Sequence, residues 1–193
     1  MDVLADAKKV DQLIAKLAKA IQKDIVESHD EPWALVGVHS RGDVLAERIA
    51  ERIGRARFEG RVGTLDITLY RDDLSEIGPS PVVKETHIDF DIDGVNVVLV
   101  DDVLMTGRSA RAAMQSLIDL GRPRRIWLAV LVDRGGRELP IAADEAALNL
   151  TRQTKMKIAP DDRVHVLLKP TDERDAIMVE PAESVTRKKG DAA

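Results

Sequence analysis

The chain reads as one α/β domain built on a mainly parallel central sheet flanked by helices, with a small irregular hood. Three observations predict this. Short, nearly continuous apolar runs have the character of parallel strands buried on both faces. Amphipathic helical repeats follow two of those runs. The length, 193 residues, suits one domain with a substantial core. The domain is expected to span residues 1–183, and 184–193 a flexible tail whose Arg187, Lys188 and Lys189 keep it solvated.

Val10, Leu13, Ile14, Leu17, Ile21 and Ile25 recur at spacings of three and four, which predicts a helix over residues 5–27 with Lys16, Lys19 and Lys23 on another face. After Pro32, "WALVGVH" (33–39) predicts a buried strand and "SRGD" a loop. Val44, Leu45, Ile49 and Ile53 then mark a helix that ends at Gly54. "RVGTLDITLYR" (61–71) alternates and is rich in β-branched residues, so a second strand is expected there. Residues 72–92 show little periodicity and read as a long functional loop. "VNVVLVDD" predicts a third strand, "VLMTGRS" a loop, and Ala110, Ala113, Met114, Leu117 and Ile118 the core face of a helix that stops at Gly121 and Pro123. "RIWLAVLVD" (125–133) completes a strand–helix–strand unit with a right-handed crossover. Two late strands are expected in 163–169 and 175–179.

Composition narrows the chemistry. There is no cysteine, which excludes disulfides, thiol nucleophiles and zinc–thiolate sites and fits a reducing cytoplasm. No stretch is long and apolar enough for a membrane span, and no signal-peptide core is present, so a cytoplasmic protein is expected. A net charge of −5 argues against coating nucleic acid over the whole surface but allows a local basic patch. Aromatic residues are only 3%, so a flat ligand would be recognised largely through backbone groups. Trp33 and Trp127 lie in apolar strands and read as core, and His29, His87 and His165 have no ligand spacing. Neither G-x-x-x-x-G-K-[ST] nor a strand-following G-x-G-x-x-G occurs, which disfavours nucleoside triphosphatases and dinucleotide dehydrogenases.

The informative stretch is "VVLVDDVLMTGRS" (97–109). Asp101 and Asp102 sit at the carboxyl end of a strand, where open parallel sheets bind ligands. Thr106, Gly107, Arg108 and Ser109 open the following helix, where N–H groups, hydroxyls and the helix dipole converge on an anion. A ribose 5′-phosphate reconciles the two halves: its phosphate enters the turn, its hydroxyls donate to the carboxylates, and Mg²⁺ bridges to a second phosphate group.

This stretch resembles the phosphoribosyl pyrophosphate signature of type I phosphoribosyltransferases. "VGVHSRG" (36–42), "LDITLYRDDLS" (65–75) and "DLGRPRRIWLAVLVDRGGRELPI" (119–141) extend the resemblance, over roughly residues 5–180, to the branch that joins uracil phosphoribosyl transfer to attenuation of pyrimidine operons. The resemblance implies a type I phosphoribosyltransferase-like fold and formation of UMP and diphosphate from uracil and phosphoribosyl pyrophosphate, with Mg²⁺. It implies that Ser40, Arg41 and Gly42 form the diphosphate loop, with Arg41 catalytic beside Asp101 and Asp102. Tyr70, Arg71 and Asp72 would begin a closing loop, with Lys84 further along it as another diphosphate contact. Val103, Leu104, Met105, Thr106, Gly107, Arg108 and Ser109 would form the ribose phosphate turn. Arg134, Gly135, Gly136 and Arg137 would lie beside the base. It further implies a homodimer or higher homo-oligomer and a pyrimidine-operon mRNA leader as partner, with Lys16, Lys19, Lys23 and Arg137 as RNA contacts.

The sequence departs from this pattern in places. Met105 stands where tyrosine is frequent, Ser109 where threonine is, and Gly136 where histidine is common. "AALNLTRQT" (146–154) retains only Asn149 of a usual polar stretch. Two alternatives stay open: a non-catalytic nucleotide sensor that binds RNA, and a phosphoribosyltransferase for another base.

Overall fold

The computed structural model describes residues 1–27, 31–72, 85–153 and 158–182. Lys84, His29 and the tail 184–193 lie outside them. Its centre is a five-stranded, all-parallel sheet in the order β3–β2–β4–β5–β6, formed by Val62–Leu65, Trp33–Val38, Asn96–Leu104, Arg125–Asp133 and Glu145–Asn149. Two helices, α1 (Ala7–Glu27) and α2 (Gly42–Ile53), cover one face, and α3 (Arg108–Leu120) covers the other. The alternation along each strand decides which core a residue joins. Leu35, Val98, Ala129 and Leu131 pack with Leu13, Leu17, Leu45 and Ile49, whereas Val36, Val97, Leu99 and Val130 pack with Ala113 and Leu117.

The hood is regular where an irregular one was expected. β1 (Asp2–Ala5), β8 (Ala176–Glu180) and β7 (Arg163–Leu167) form a three-stranded antiparallel sheet. The N-terminal strand is not foreseen from sequence because four residues, three of them on or near the surface, carry almost no periodicity. The edge strand β6 and the single turn α4 (Leu150–Gln153) are hidden for the same reason.

Two boundaries also move, and one expected core residue faces solvent. The strand expected over 61–71 ends at Leu65, because the Asp66 carboxylate accepts from the backbone N–H and hydroxyl of Thr68 and starts a 3₁₀ turn over Thr68–Tyr70. β4 runs two residues past Asp102, since Val103 and Leu104 still pair with Val132 and Asp133 of β5. Ile118 is 56% exposed, because the buried stripe of α3 runs through Ala110, Ala113 and Leu117 and turns Ile118 to solvent. Trp33 and Trp127 are core neighbours, with ring centroids 5.9 Å apart. No described helix is long and apolar enough to cross a membrane.

Candidate functional site

The chain leaves β2 through α2 toward β3 on one side of the sheet and leaves β4 through α3 toward β5 on the other. The strand order therefore reverses between β2 and β4, which opens a crevice at their carboxyl ends. The loop after β2 (Ser40–Gly42) and the turn after β4 (Thr106–Ser109) flank that crevice.

Close packing brings the first loop against the acidic pair. A Cβ on Gly42 would lie 2.4 Å from the Val100 carbonyl oxygen and 3.2 Å from Asp101 Cα, so only hydrogen fits there. The His39–Ser40 peptide is cis. His39 Nδ1 lies 2.5 Å from an Asp43 carboxylate oxygen, within the first turn of α2.

Asp101 is buried and Asp102 half-buried. The Asp102 N–H donates to Asp101 at 2.9 Å, and the Val103 N–H donates to Asp102 at 2.7 Å. Burial, and then the charge of Asp102, push the Asp101 carboxyl well above its ordinary range. Burial also raises Asp102, opposed by the Val103 N–H and by the positive charge of Arg41. A buried carboxylate pair with so little compensation is suited to ligand hydroxyls or a divalent cation.

Behind the pair, Gly107 (φ 91°) precedes α3 and no side chain caps the helix. The first N–H groups of a helix have no partner within it and are free to meet an anion. Thr106 is half-buried, its hydroxyl accepts weakly from Arg108 N–H at 3.3 Å, and Ser109 is half-buried beside it. The exposed Arg108 guanidinium donates to Glu138 at 2.7 Å and to Asp72 at 2.9 Å. Asp72 also pairs with Arg111. Tyr70 is docked rather than loose: its hydroxyl donates to Asp119 at 2.9 Å and its carbonyl accepts from Arg111 at 2.8 Å. Arg71 is exposed next to it.

The carbonyls on the other side of this turn carry the segment after β5. Leu104 C=O accepts from Arg134 N–H at 2.9 Å, and Thr106 C=O accepts from Glu138 and Leu139 N–H at 3.0 Å. The guanidinium of Arg137 donates to the carbonyls of Met105 at 2.8 Å and Ile141 at 2.7 Å and to Asp133 at 2.7 Å. Arg134 is 7% exposed and donates to the carbonyls of Ala159, Pro160 and Asp162. Both arginines, expected to face the base, instead brace the turn and the hood from within. Arg137, also expected as an RNA contact, is half-buried with its guanidinium bonded to these acceptors.

Gly136 explains its departure from the family pattern. Its φ is +81°, and a Cβ there would meet Arg134 Nη1 at 2.9 Å, so glycine and the buried arginine belong together. Asn149 has a structural role, since its carboxamide oxygen accepts from Thr151 and Arg152 N–H and caps α4.

The structure also displays residues that no sequence motif had singled out. Asp133 accepts from Gly135 N–H, Arg137 and Asn149, which makes it the hub of the segment after β5. Its signal was available, an aspartate ending an apolar run as Asp101 does. Asp172 had none, because its partner is Arg41, far away in sequence. Arg41 Nε and Nη2 each donate to an Asp172 oxygen at 2.8 Å. Among the lysines, Lys16 donates to the Ala147 carbonyl at 2.7 Å, Lys23 lies 3.7 Å from Glu27, and Lys19 and Lys23 are exposed.

Comparison with known proteins agrees with this geometry. Residues 2–160 match the phosphoribosyl transferase domain model. The chain is similar to the bifunctional protein PyrR of Thermus aquaticus, with 63% identity over 135 residues, 67% of this chain and 74% of the relative. It is similar to that of Deinococcus radiodurans, with 48% identity over 167 residues, 85% and 88% of the two chains. Among solved structures, a Trypanosoma cruzi hypoxanthine phosphoribosyl transferase superposes with a TM-score of 0.68 over 98% of this chain and 95% of that one, at 19% identity, a likeness of fold.

Proposed function

The chain belongs to the phosphoribosyl transferase family, in its PyrR branch, and from that premise we propose that it transfers the ribose 5-phosphate group of phosphoribosyl pyrophosphate to uracil, yielding UMP and diphosphate. The anomeric C–O bond to diphosphate breaks, a ring nitrogen of uracil forms the new C–N bond, and the nitrogen loses its proton. The observation that carries this reading is the buried Asp101–Asp102 pair set beside an uncapped helix start at the switch point of the sheet.

In this reading the turn Met105–Ser109, which begins where β4 ends, receives the 5′-phosphate through N–H groups and the hydroxyls of Thr106 and Ser109, and Arg108 exchanges its carboxylate partners for phosphate. Asp101 and Asp102 accept from the ribose hydroxyls. Ser40–Gly42 takes the leaving diphosphate. The transition state gathers positive charge on the ribosyl group, and the carboxylates lie where that charge develops. Placement and exclusion of water supply most of the rate, since no side chain needs to act as a nucleophile.

The donor set fits Mg²⁺. Asp101 and Asp102 present hard oxygen donors, and no cluster of three or more His, Asp or Glu with metal-holding geometry occurs among the described residues. Mg²⁺ commonly takes one or two carboxylates and fills the rest of its shell with water and phosphate oxygens. When bound, it would neutralise the diphosphate.

The test is diphosphate release from phosphoribosyl pyrophosphate and Mg²⁺ with a panel of bases. Turnover with uracil is expected; turnover with another base alone would change the substrate, and none at all would overturn the enzymatic reading. The PyrR likeness and the exposed Lys19 and Lys23 also support binding of a pyrimidine-operon leader RNA. Replacing both lysines by alanine should weaken a UMP-dependent gel shift and lower the salt slope by about one unit per lost phosphate contact. An unchanged slope would remove α1 from the RNA surface.

A further inference from the structure

Arg41 stands at the start of α2, in the loop assigned to diphosphate, yet its side chain is held elsewhere. Asp172, in the turn between β7 and β8, takes it in a bidentate pair with both contacts at 2.8 Å. The carboxylate is itself fixed, since one of its oxygens accepts Leu168 N–H at 2.8 Å and the Asp172 N–H returns a bond to the Leu168 carbonyl. Two turns along the same helix, Arg48 makes a second bidentate pair with Asp175, at 2.6 and 3.0 Å, and donates to the Lys169 carbonyl. Asp175 also accepts Lys169 N–H at 2.8 Å. All four side chains are at most a third exposed. The hood is thus latched to α2 twice, but only one latch reaches the diphosphate loop.

We propose that Asp172 is a positioning residue for phosphoribosyl transfer, holding Arg41 in a fixed orientation between the hood and the carboxylate of Asp102 so that the Ser40–Gly42 loop keeps its diphosphate-binding shape. Bidentate pairing removes the rotational freedom that a long arginine would otherwise lose on binding substrate. In this arrangement the loop receives diphosphate mainly through its backbone, and Arg41 shapes the loop and supplies a positive field near Asp102 without leaving Asp172. The inference rests on the phosphoribosyltransferase reading above.

The Arg48–Asp175 pair supplies an internal control. Asp172→Asn and Asp175→Asn each remove one charge from the same turn, but only the first touches Arg41. With Asp172→Asn, KM for phosphoribosyl pyrophosphate should rise about tenfold, the equivalent of one charged hydrogen bond. KM for uracil and kcat should stay within about twofold, and Asp172→Glu should restore part of the loss. Asp175→Asn should lower thermal stability and leave both KM values unchanged. Equal behaviour of the two asparagine variants would make Asp172 purely structural. A fall in KM for phosphoribosyl pyrophosphate with Asp172→Asn would mean that Arg41 swings to the diphosphate and is restrained by Asp172; either result overturns the proposal. An inactive wild type would instead overturn the enzymatic reading on which it depends.

Discussion

Two pairs of aspartates in this molecule sit in opposite surroundings. Asp101, buried, and Asp102, half-buried, are adjacent near the end of β4, and desolvation raises both. Asp172 and Asp175, in the hood turn, each hold an arginine in a bidentate grip, and that hydrogen bonding lowers both. The same side chain is a cost to the fold in one place and a fastener in the other. What separates them is a directly bonded cation: α2 and the loop before it bring Arg41 and Arg48 to the hood aspartates, whereas the crevice pair feels Arg41 only through its field.

The sharpest way to break this comparison is to neutralise the crevice pair. Replacing Asp101 and Asp102 by asparagine should reduce transfer by a factor on the order of 10²–10³ or more. The same double variant should unfold at a higher temperature, by the equivalent of about 1 kcal/mol. A drop in the thermal midpoint would show that the pair stabilises the fold.

Neutralising the hood pair should do the reverse. Asp175→Asn leaves Arg48 half-buried without its counter-charge and should cost about 2 kcal/mol, measured by denaturant melts, with turnover unchanged. Arg48→Lys keeps the charge but loses the planar fork, and should cost about 1 kcal/mol.

The two pairs should also differ in their response to pH. The folded-state pKa values of Asp172 and Asp175 are depressed, so their contribution is present above the ordinary carboxylate range and is lost as pH falls through the depressed values. Asp101 is raised, so its contribution is present at low pH and is lost as pH rises through its elevated value. Denaturant melts of the asparagine variants against pH separate the two: the hood variants should flatten the acid loss of stability, and Asp101→Asn should flatten the loss on the way up. Parallel profiles for all of them would remove the contrast.

The candidate site's strand end and helix start were legible in the sequence. "DDVLMTGRS" is contiguous, so its two halves are brought together by local geometry, a strand end followed by a helix start. The parallel strands were legible because burial on both faces forces nearly unbroken apolar runs, as in "RIWLAVLVD". The hood was legible only in part: strands were expected at 163–169 and 175–179, where β7 and β8 lie, but not β1, which is short and whose pairing spans Asp2 to Val179.

By itself the sequence determined the α/β class and the run of strands and helices from β2 to β5, because each is written in residues that are neighbours along the chain. Only the tertiary structure decided what the arginines do. Arg41 meets Asp172, Arg48 meets Asp175, Arg134 meets Ala159, Pro160 and Asp162, and Arg137 meets the Met105 carbonyl. A guanidinium reaches several ångströms from its backbone and takes whichever fixed acceptors lie in range once the chain is folded. A motif can place its Cα beside a ligand; the packed neighbours choose where its charge goes.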